Sequence, residues 1–335
     1  MTGIIGWGAF IPRKRIRAAD FKAAWGSFGG VRILEKTVPD VDDDSVTMAT
    51  NAAQAAVRHA GIDAASVRAI ALASSSLPYE QKHQAGTVAI ALGVPGNSMG
   101  LQFAGSSKSG TEALLCALAL AEKTGGHAVV AAGDRRGSSM YSPLEHAAGA
   151  AGCALVTGAG NVIAEMEGSA HFIDDIPGDR FRPAGQADLE DIEVREYTER
   201  LMLGAMTSAA SGLLGKLDAE PGDFKHLCVT EPDGRLAAQV AKKLDLPEDR
   251  IAAASLARRL GDTGACSVLL GLISALEDSR EGDRILAIAY GEGGGAAALA
   301  FRVLSRPSPS NLDEQVAGAE YIDFIEYLKL RGRVN

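Results

Sequence analysis

The chain is poor in aromatic residues. Phe, Trp and Tyr make up 5% of its 335 positions, and two of them are Trp. With few large rings to fill space, a core here has to be closed by small and aliphatic side chains packed tightly. Cysteine is scarce as well, at Cys116, Cys153, Cys228 and Cys266. None forms a Cys-X-X-Cys pair, which argues against a disulfide framework or a zinc site and leaves buried reduced thiols. A basic excess is absent: 33 Lys and Arg stand against 42 Asp and Glu, a net charge of −9. A nucleic-acid interface needs a basic face. The clusters Arg13-Lys14-Arg15 with Arg17 and Arg258-Arg259 are too short for one, and suit solvent or a small anionic ligand. Long apolar runs are missing too. No window reaches 18 apolar residues without Gly or charge, and the N-terminus runs directly into strand-like sequence without the pattern of a signal peptide. The expectation is a cytoplasmic protein with neither nucleic acid nor membrane as partner, and no metal ligand set.

Glycine is what the chain has in excess, 39 of 335 positions, against a usual value of about 7%. Apolar runs of strand length alternate with helical patterns. Residues 2–10, 67–74, 127–133 and 151–157 read as strands, and 45–60 and 108–123 as helices closed by Gly61 and Gly125-Gly126. Buried strands alternating with helices predict an α/β protein. The second half repeats the order. The strand 227–230 precedes a helix over 234–244. The helix 264–278 lines up with 110–124, the strand 282–289 with 125–132, and 297–301 answers 151–157. A repeat of about 150 residues is a duplicated domain rather than a solenoid unit. The expected parts are 1–165, 166–304, and a linker with an amphipathic tail over 305–335. In that tail Tyr321, Phe324, Ile325, Leu328 and Leu330 form an apolar stripe, for the chain's own body or for a partner subunit.

Several stretches carry a resemblance. They are Gly3-Ile4-Ile5-Gly6-Trp7-Gly8-Ala9-Phe10-Ile11-Pro12, Glu35-Lys36-Thr37-Val38-Pro39, Pro78-Tyr79, and Phe103-Ala104 with Lys108-Ser109-Gly110-Thr111. Leu144-Glu145-His146-Ala147-Ala148-Gly149, Pro232-Asp233-Gly234-Arg235 and Tyr290-Gly291-Glu292-Gly293-Gly294-Gly295 continue it. Together they resemble the 3-hydroxy-3-methylglutaryl-CoA synthase branch of the thiolase superfamily, archaeal-type members above all, with 3-oxoacyl-ACP synthase III a near relative. The resemblance implies a thiolase fold, a duplicated five-layered αβαβα architecture. It implies a coenzyme A thioester as substrate and no other cofactor. It also implies a homodimer, and a complex with a thiolase and a zinc-ribbon/OB-fold acyl-CoA-binding protein.

Carried over residue by residue, the resemblance places substituted catalysts. The family's acyl-accepting cysteine falls on Ser107, with Ser106 as the alternative register. Its histidine falls on Thr230, its asparagine on Asp262 and its general-acid glutamate on Ser75. The glycine turn matches the family's oxyanion site, with Gly293 pairing its N–H with that of Ser107. A serine without an adjacent base is a weak nucleophile, and Ser107 also suits a helix N-cap. Glu231, Asp262, Tyr290, Tyr141 and His146 are the candidate bases, and Arg235 and His146 the candidate substrate-binding residues. Two functions follow. One is an acyl-CoA enzyme acting by acyl transfer through Ser107 or by non-covalent aldol, retro-aldol or Claisen-type carbon–carbon chemistry. The other is a non-catalytic subunit that scaffolds or regulates an active thiolase-like partner.

Overall fold

The computed structural model describes residues 1–29, 32–192 and 194–334, with the side chains of 195–199 and 252–255 outside the description. The first part of the chain runs β1 (Thr2–Phe10), β2 (Lys14–Arg17), α1 (Ala18–Trp25), β3 (Glu35–Thr37), α2 (Ser45–Ala60) and β4 (Val67–Ser74). Then come α3 (Ala85–Leu92), β5 (Met99–Ala104), α4 (Ser109–Thr124), β6 (His127–Arg135), α5 (Pro143–Ala147) and β7 (Ala150–Ala159). The second part runs β8 (Ala164–Phe172), α6 (Arg195–Leu217), β9 (His226–Val229), α7 (Leu236–Lys243) and α8 (Ala252–Leu260). It closes with α9 (Ser267–Glu277), β10 (Arg284–Tyr290) and β11 (Ala296–Val303), and α10 (Leu312–Ala317), β12 (Glu320–Tyr321) and α11 (Phe324–Leu330) form the tail.

Nine strands make one sheet in the order β5-β4-β6-β7-β1-β8-β11-β10-β9. Its two sides meet where Ile4 pairs with Ala164. Outward from that seam both sides repeat one pattern of two antiparallel pairings followed by a parallel one: β1-β7-β6-β4 and β8-β11-β10-β9. The pairs that match in sequence, β6 with β10 and β7 with β11, hold corresponding places. The duplication is therefore a duplication of topology.

Period-two burial explains the layers. In β4, Ala69, Ala71 and Ala73 face one core with Leu114 of α4 and Leu269, Leu272 and Ile273 of α9. Ile70 and Leu72 of the same strand face α2 and α3 on the other side. In β10, Ile285, Ala287 and Ala289 face the α4–α9 layer, while Leu286, Ile288 and Tyr290 face α6 and α7. The order is thus helices, one side of the sheet, the α4–α9 layer, the other side of the sheet, and helices. Strands covered on both faces must be apolar at every position, which is why they read as unbroken runs. Each buried Leu, Ile or Val adds about 1.5–3 kcal/mol to this core.

The ends of α2 show the local logic. Asp44 accepts the Thr47 N–H at 2.7 Å, and Gly61 at φ 63° closes the helix in the left-handed conformation. Some of the glycine excess is close packing. A Cβ on Gly110, at the start of α4, would overlap the Ala265 carbonyl oxygen. That approach sets the N-terminal end of α4 against the segment preceding α9.

Part of the tail packs on its own chain, while Tyr321 and Ile325 of its apolar stripe stay exposed. Ile322 and Tyr327 join Ile16, Phe21, Val38 and Met140 in one apolar cluster. The Tyr327 hydroxyl donates to the buried carboxylate of Glu145, and Arg331 pairs with it at 2.8 Å. Lys36, 2% exposed, completes that cluster 3.8 Å from Glu145, and burial pushes its amine down to about 8. Among the described residues no helix is long and apolar enough to cross a membrane.

Candidate active site

In sheets of this kind the loops at the carboxyl ends of parallel strands build ligand sites. Here those ends bring charged residues together around Ser107. Ser107 lies in the turn between β5 and α4 and is 3% exposed. Glu292, in the turn between β10 and β11, lays its carboxylate on it. Oε2 accepts the Ser107 backbone N–H at 2.6 Å, and Oε1 accepts the Ser107 hydroxyl at 2.6 Å. Arg136 leaves the end of β6. Its Nη1 donates to Ser107 Oγ at 2.8 Å and to both Asp262 oxygens at 3.2 and 3.0 Å, and its Nη2 donates to Glu292 at 2.7 Å. Arg180, from the β8–α6 connection, donates to Asp262 at 3.0 Å.

The charges in this network sustain one another. Burial alone would push the Arg136 guanidinium down; Asp262, Glu292 and Asp134 outweigh it and keep the group charged. Burial alone would push Glu292 up; Arg136 and the two bonds from Ser107 outweigh it and bring the carboxyl to about 2. An unpaired ion at this depth would cost several kcal/mol, so each carboxylate here depends on its arginine.

A second carboxylate stands behind the first group. Asp134, fully buried in β6, accepts the hydroxyls of Ser74 and Ser76 and the Ser75 N–H on Oδ1 at 2.7–2.8 Å. Its Oδ2 accepts the Ser75 hydroxyl at 2.8 Å and the Ala265 N–H at 2.7 Å. Gly264, at φ 55°, must be glycine, since a Cβ there would overlap Asp134 Oδ2. The hydroxyl of Ser75, expected at the place of the family's general acid, thus donates its hydrogen bond to Asp134.

The other predicted residues divide. Asp262 joins Ser107 through Arg136. Thr230 does not: its Oγ1 accepts the Tyr290 N–H at 2.9 Å and serves the backbone of β10. Glu231 turns away and caps α7, accepting the N–H groups of Leu236 and Ala237 at 3.1 and 2.8 Å. Burial still raises it to about 7. Tyr290 donates to Asp179 at 2.5 Å; burial and then Asp179 push its hydroxyl far above the usual range, so it is no base. The Gly293 N–H also donates to Asp179, at 3.1 Å. Both backbone donors expected to form an oxyanion hole are therefore held by carboxylates of the chain itself. His146 lies in an aromatic cluster, stacked on Phe28 with ring centroids 5.3 Å apart, and its Nδ1 accepts the Gly29 N–H at 2.7 Å. Burial lowers its pKa. Tyr141 is exposed beside Trp25, and Arg235 is paired with Asp233 at 2.7 Å. Neither lines the cleft beside Ser107. Ser106 accepts the Lys108 N–H at 3.2 Å, a turn contact.

A cleft of about 130 Å³ opens beside the network, with Ser75, Arg136, Arg180 and Glu292 in its wall. Among the described residues no group of three or more His, Cys, Asp or Glu is placed to hold a metal ion. The four cysteines are free thiols. The residues that sequence reasoning missed are Arg136, Glu292, Asp134, Asp179 and Arg180. A signal existed for three of them: Asp134-Arg135-Arg136 ends an otherwise apolar strand, and Glu292 is the one charge in a glycine run.

Comparison with known proteins agrees with this architecture. The family described as 3-oxoacyl-[acyl-carrier-protein] synthase III C terminal matches residues 214–303. The hydroxymethylglutaryl-CoA synthase of Methanopyrus kandleri is 33% identical over 348 residues, covering 99% of this chain and 98% of that one. The same enzyme of Pyrobaculum arsenaticum is 30% identical over 98% of this chain and 97% of its own. Among solved structures, an HMG-CoA synthase complexed with CoA superposes with TM-score 0.87 at 21% identity, covering 98% of this chain and 89% of that one. The 3-oxoacyl-[acyl-carrier-protein] synthase III of Aquifex aeolicus gives 0.80 at 18% identity, covering 90% and 100%. Full-length similarity to the archaeal enzymes, on a duplicated thiolase fold, makes the chain a member of the hydroxymethylglutaryl-CoA synthase family.

Proposed function

We propose that the chain acts on acyl-CoA thioesters by carbon–carbon bond chemistry without an acyl-enzyme. The observation that carries this reading is the set Ser107, Glu292, Arg136 and Asp262, which converges within hydrogen-bond distance at the edge of a cleft. Ser107 is a poor nucleophile here. Its hydroxyl is shared between an arginine and a carboxylate at about 2, and no imidazole is among its partners. The same atoms suit aldol cleavage of a β-hydroxyacyl thioester. The thioester oxygen displaces Glu292 from the Ser107 N–H. Glu292 loses the bond from that N–H, one of those that stabilise its charge, so its basicity rises, and it takes the hydroxyl proton. The carbon–carbon bond breaks, its electron pair forms the thioester enolate, and the Ser107 N–H and Arg136 hold the developing oxyanion. Glu292 returns that proton to the enolate carbon, which gives the shorter thioester beside the carbonyl product and restores the carboxylate. The thioester carrier is coenzyme A or a carrier protein. Solved relatives with this fold are complexed with CoA and with an acetyl donor carrier protein. No other cofactor enters.

One observation favours a second reading. The Ser107 N–H is already occupied by Glu292, as expected of a non-catalytic subunit whose pocket is closed by its own side chain. Incubation with a panel of acyl-CoA and β-hydroxyacyl-CoA thioesters, followed by product analysis, separates the two. Release of a carbonyl compound and a shortened thioester supports the enzyme. Absence of both binding and turnover across the panel supports the subunit.

A further inference from the structure

The cleft beside Ser107 has two walls. One belongs to the body of the fold and carries Ser75, Arg136 and Glu292; the other is the β8–α6 connection, which supplies Arg180, Phe181, Arg182, Ala187 and Leu189. Residues 178–192 of that connection close on themselves. The Ile192 N–H donates to the Gly178 carbonyl at 3.0 Å, and Phe181 and Glu190 exchange two backbone bonds of 2.9 and 2.8 Å. Gly178, at φ 78°, admits that closure, since a Cβ there would overlap Ile192. The base of the loop is pinned by Asp179, buried under bonds from the Tyr290 hydroxyl and the Gly293 N–H. Beyond it, no residue from 180 to 192 is buried. A loop of this form is a compact unit with close ends. With no buried side chain past its base, it belongs to the part of a fold that opens at low free-energy cost.

The bonds that hold this loop to the body are polar. Arg180 donates to Asp262 at 3.0 Å, Arg182 to the Ser75 carbonyl at 3.1 Å, and the Gly185 N–H to Glu80 at 3.0 Å. The C-terminus adds another. Gly332, at φ 64°, follows α11 in the left-handed conformation, and the Arg333 N–H turns back to the Leu328 carbonyl at 2.9 Å. Past that turn, the Arg333 side chain meets the loop: it pairs with Asp188 at 2.8 Å and donates to the Ser138 carbonyl at 3.2 Å. Both members of the pair stay partly exposed. Such a pair is worth little, which suits a contact that has to release. We infer that residues 178–192 are a flap over the active site and that Arg333 is its latch. What the flap admits rests on the proposal that thioesters react at Ser107. Closed, the cleft measures about 130 Å³, below the about 300–1,000 Å³ of pockets for drug-sized ligands, so an acyl group on its pantetheine arm enters only when the loop lifts. Lifting takes Arg180 from Asp262 and removes the wall that faces Glu292; closing restores both and shuts water from the enolate.

Hydrogen exchange of the full-length chain, read by mass spectrometry on the parent and on Arg333→Gln, tests the flap and its latch without any ligand. The expected result is faster exchange over 178–192 than over β4 and β6 in the parent. In Arg333→Gln that exchange rises a further two- to fivefold, about the range of one exposed ion pair, while β4 and β6 stay unchanged and Arg333→Lys restores most of the difference. Exchange over 178–192 as slow as in the strands overturns the flap. Acceleration spread over the whole chain, or none, overturns the latch. A reversible tether tests admission. Ser138 and Leu189 pair across a β-bridge, so Ser138→Cys with Leu189→Cys brings two thiols within reach of a disulfide, formed by an added oxidant and confirmed by mass. Titration with 3-hydroxybutyryl-CoA is expected to show binding by the reduced protein and at least a tenfold loss in the oxidised one. Equal binding by both forms overturns the gating role and leaves the thioester proposal standing. If neither form nor the parent binds, the thioester proposal falls, and hydrogen exchange decides for or against the flap by itself.

Discussion

Glu292 and Ser107, far apart in the chain, are joined by two bonds of 2.6 Å, one from the backbone N–H and one from the hydroxyl of the serine. On the proposed reaction, the carboxylate occupies the donor that the thioester oxygen would take, and carries the charge that oxygen would acquire. Replacing it by the isosteric amide keeps the shape and removes both the charge and the base. Glu292→Gln is expected to lower turnover by at least about 10²-fold, the usual contribution of a positioned acid–base group. Steady-state kinetics alongside a titration of thioester affinity checks this. Unchanged turnover with unchanged affinity would remove Glu292 from the mechanism.

Glu231 and Glu292 tilt stability with pH in opposite senses. Burial raises Glu231 to about 7, above its unfolded value of about 4.3. Its contribution is complete below the unfolded value and is lost as pH rises through about 7. Arg136 and Ser107 bring Glu292 to about 2, below its unfolded value, so its contribution is present above about pH 4.3 and is lost as pH falls toward the folded value. Melting temperatures measured across acid and neutral pH should flatten between about pH 4.3 and 7 in Glu231→Gln, and below about pH 4.3 in Glu292→Gln. A Glu231→Gln variant that keeps the parental slope contradicts the burial of that carboxyl as its cause.

Gly264→Ala tests the Asp134 cage. The added methyl would overlap Asp134 Oδ2, and φ 55° strains any residue with a Cβ. A loss of about 1–3 kcal/mol is expected from overpacking. Gly86 in α3 is the contrasting position, because a methyl added there would meet nothing within 4 Å. There the alanine should be neutral or stabilising by up to about 1 kcal/mol. Urea denaturation of the two variants, read side by side, decides whether the contact or the substitution type matters.

Arg331 and Tyr327 tie the tail to Glu145, whose side chain is 1% exposed. Arg331→Ala leaves that carboxylate short of a cation and should cost about 3–5 kcal/mol. Adding Glu145→Gln should recover part of the loss, because the unpaired charge is then gone. Chemical denaturation of the two single variants and the double variant measures the coupling. Additive losses would show that the pair does not hold the tail.

The fold was legible where burial dictates sequence directly. The limits of β4, 67–74, follow from an apolar run buried on both faces, and the end of α2 from Gly61. The repeat of β6 and β7 in β10 and β11 showed because matching positions face matching layers. The site was less legible for a physical reason. What Arg136 does is set by Glu292, 156 positions away, and by Asp262, 126 away. One-dimensional patterns record that a charge interrupts an apolar strand, but not which opposite charge meets it in space. The resemblance brought attention to Ser107 and Asp262 as substituted positions, and passed over the ions that fill the pocket between them. For the same reason Glu231 and Tyr290 read as bases, when one caps α7 and the other is locked to Asp179.

The central claim is carbon–carbon chemistry on a thioester with no acyl-enzyme at Ser107. Intact-protein mass spectrometry on samples quenched during turnover of a β-hydroxyacyl-CoA, with carbonyl product quantified in the same samples, addresses it most directly. The account predicts product accumulation while the protein keeps its unmodified mass at every time point. An acyl adduct that maps to Ser107 and forms and decays at the rate of turnover would contradict it.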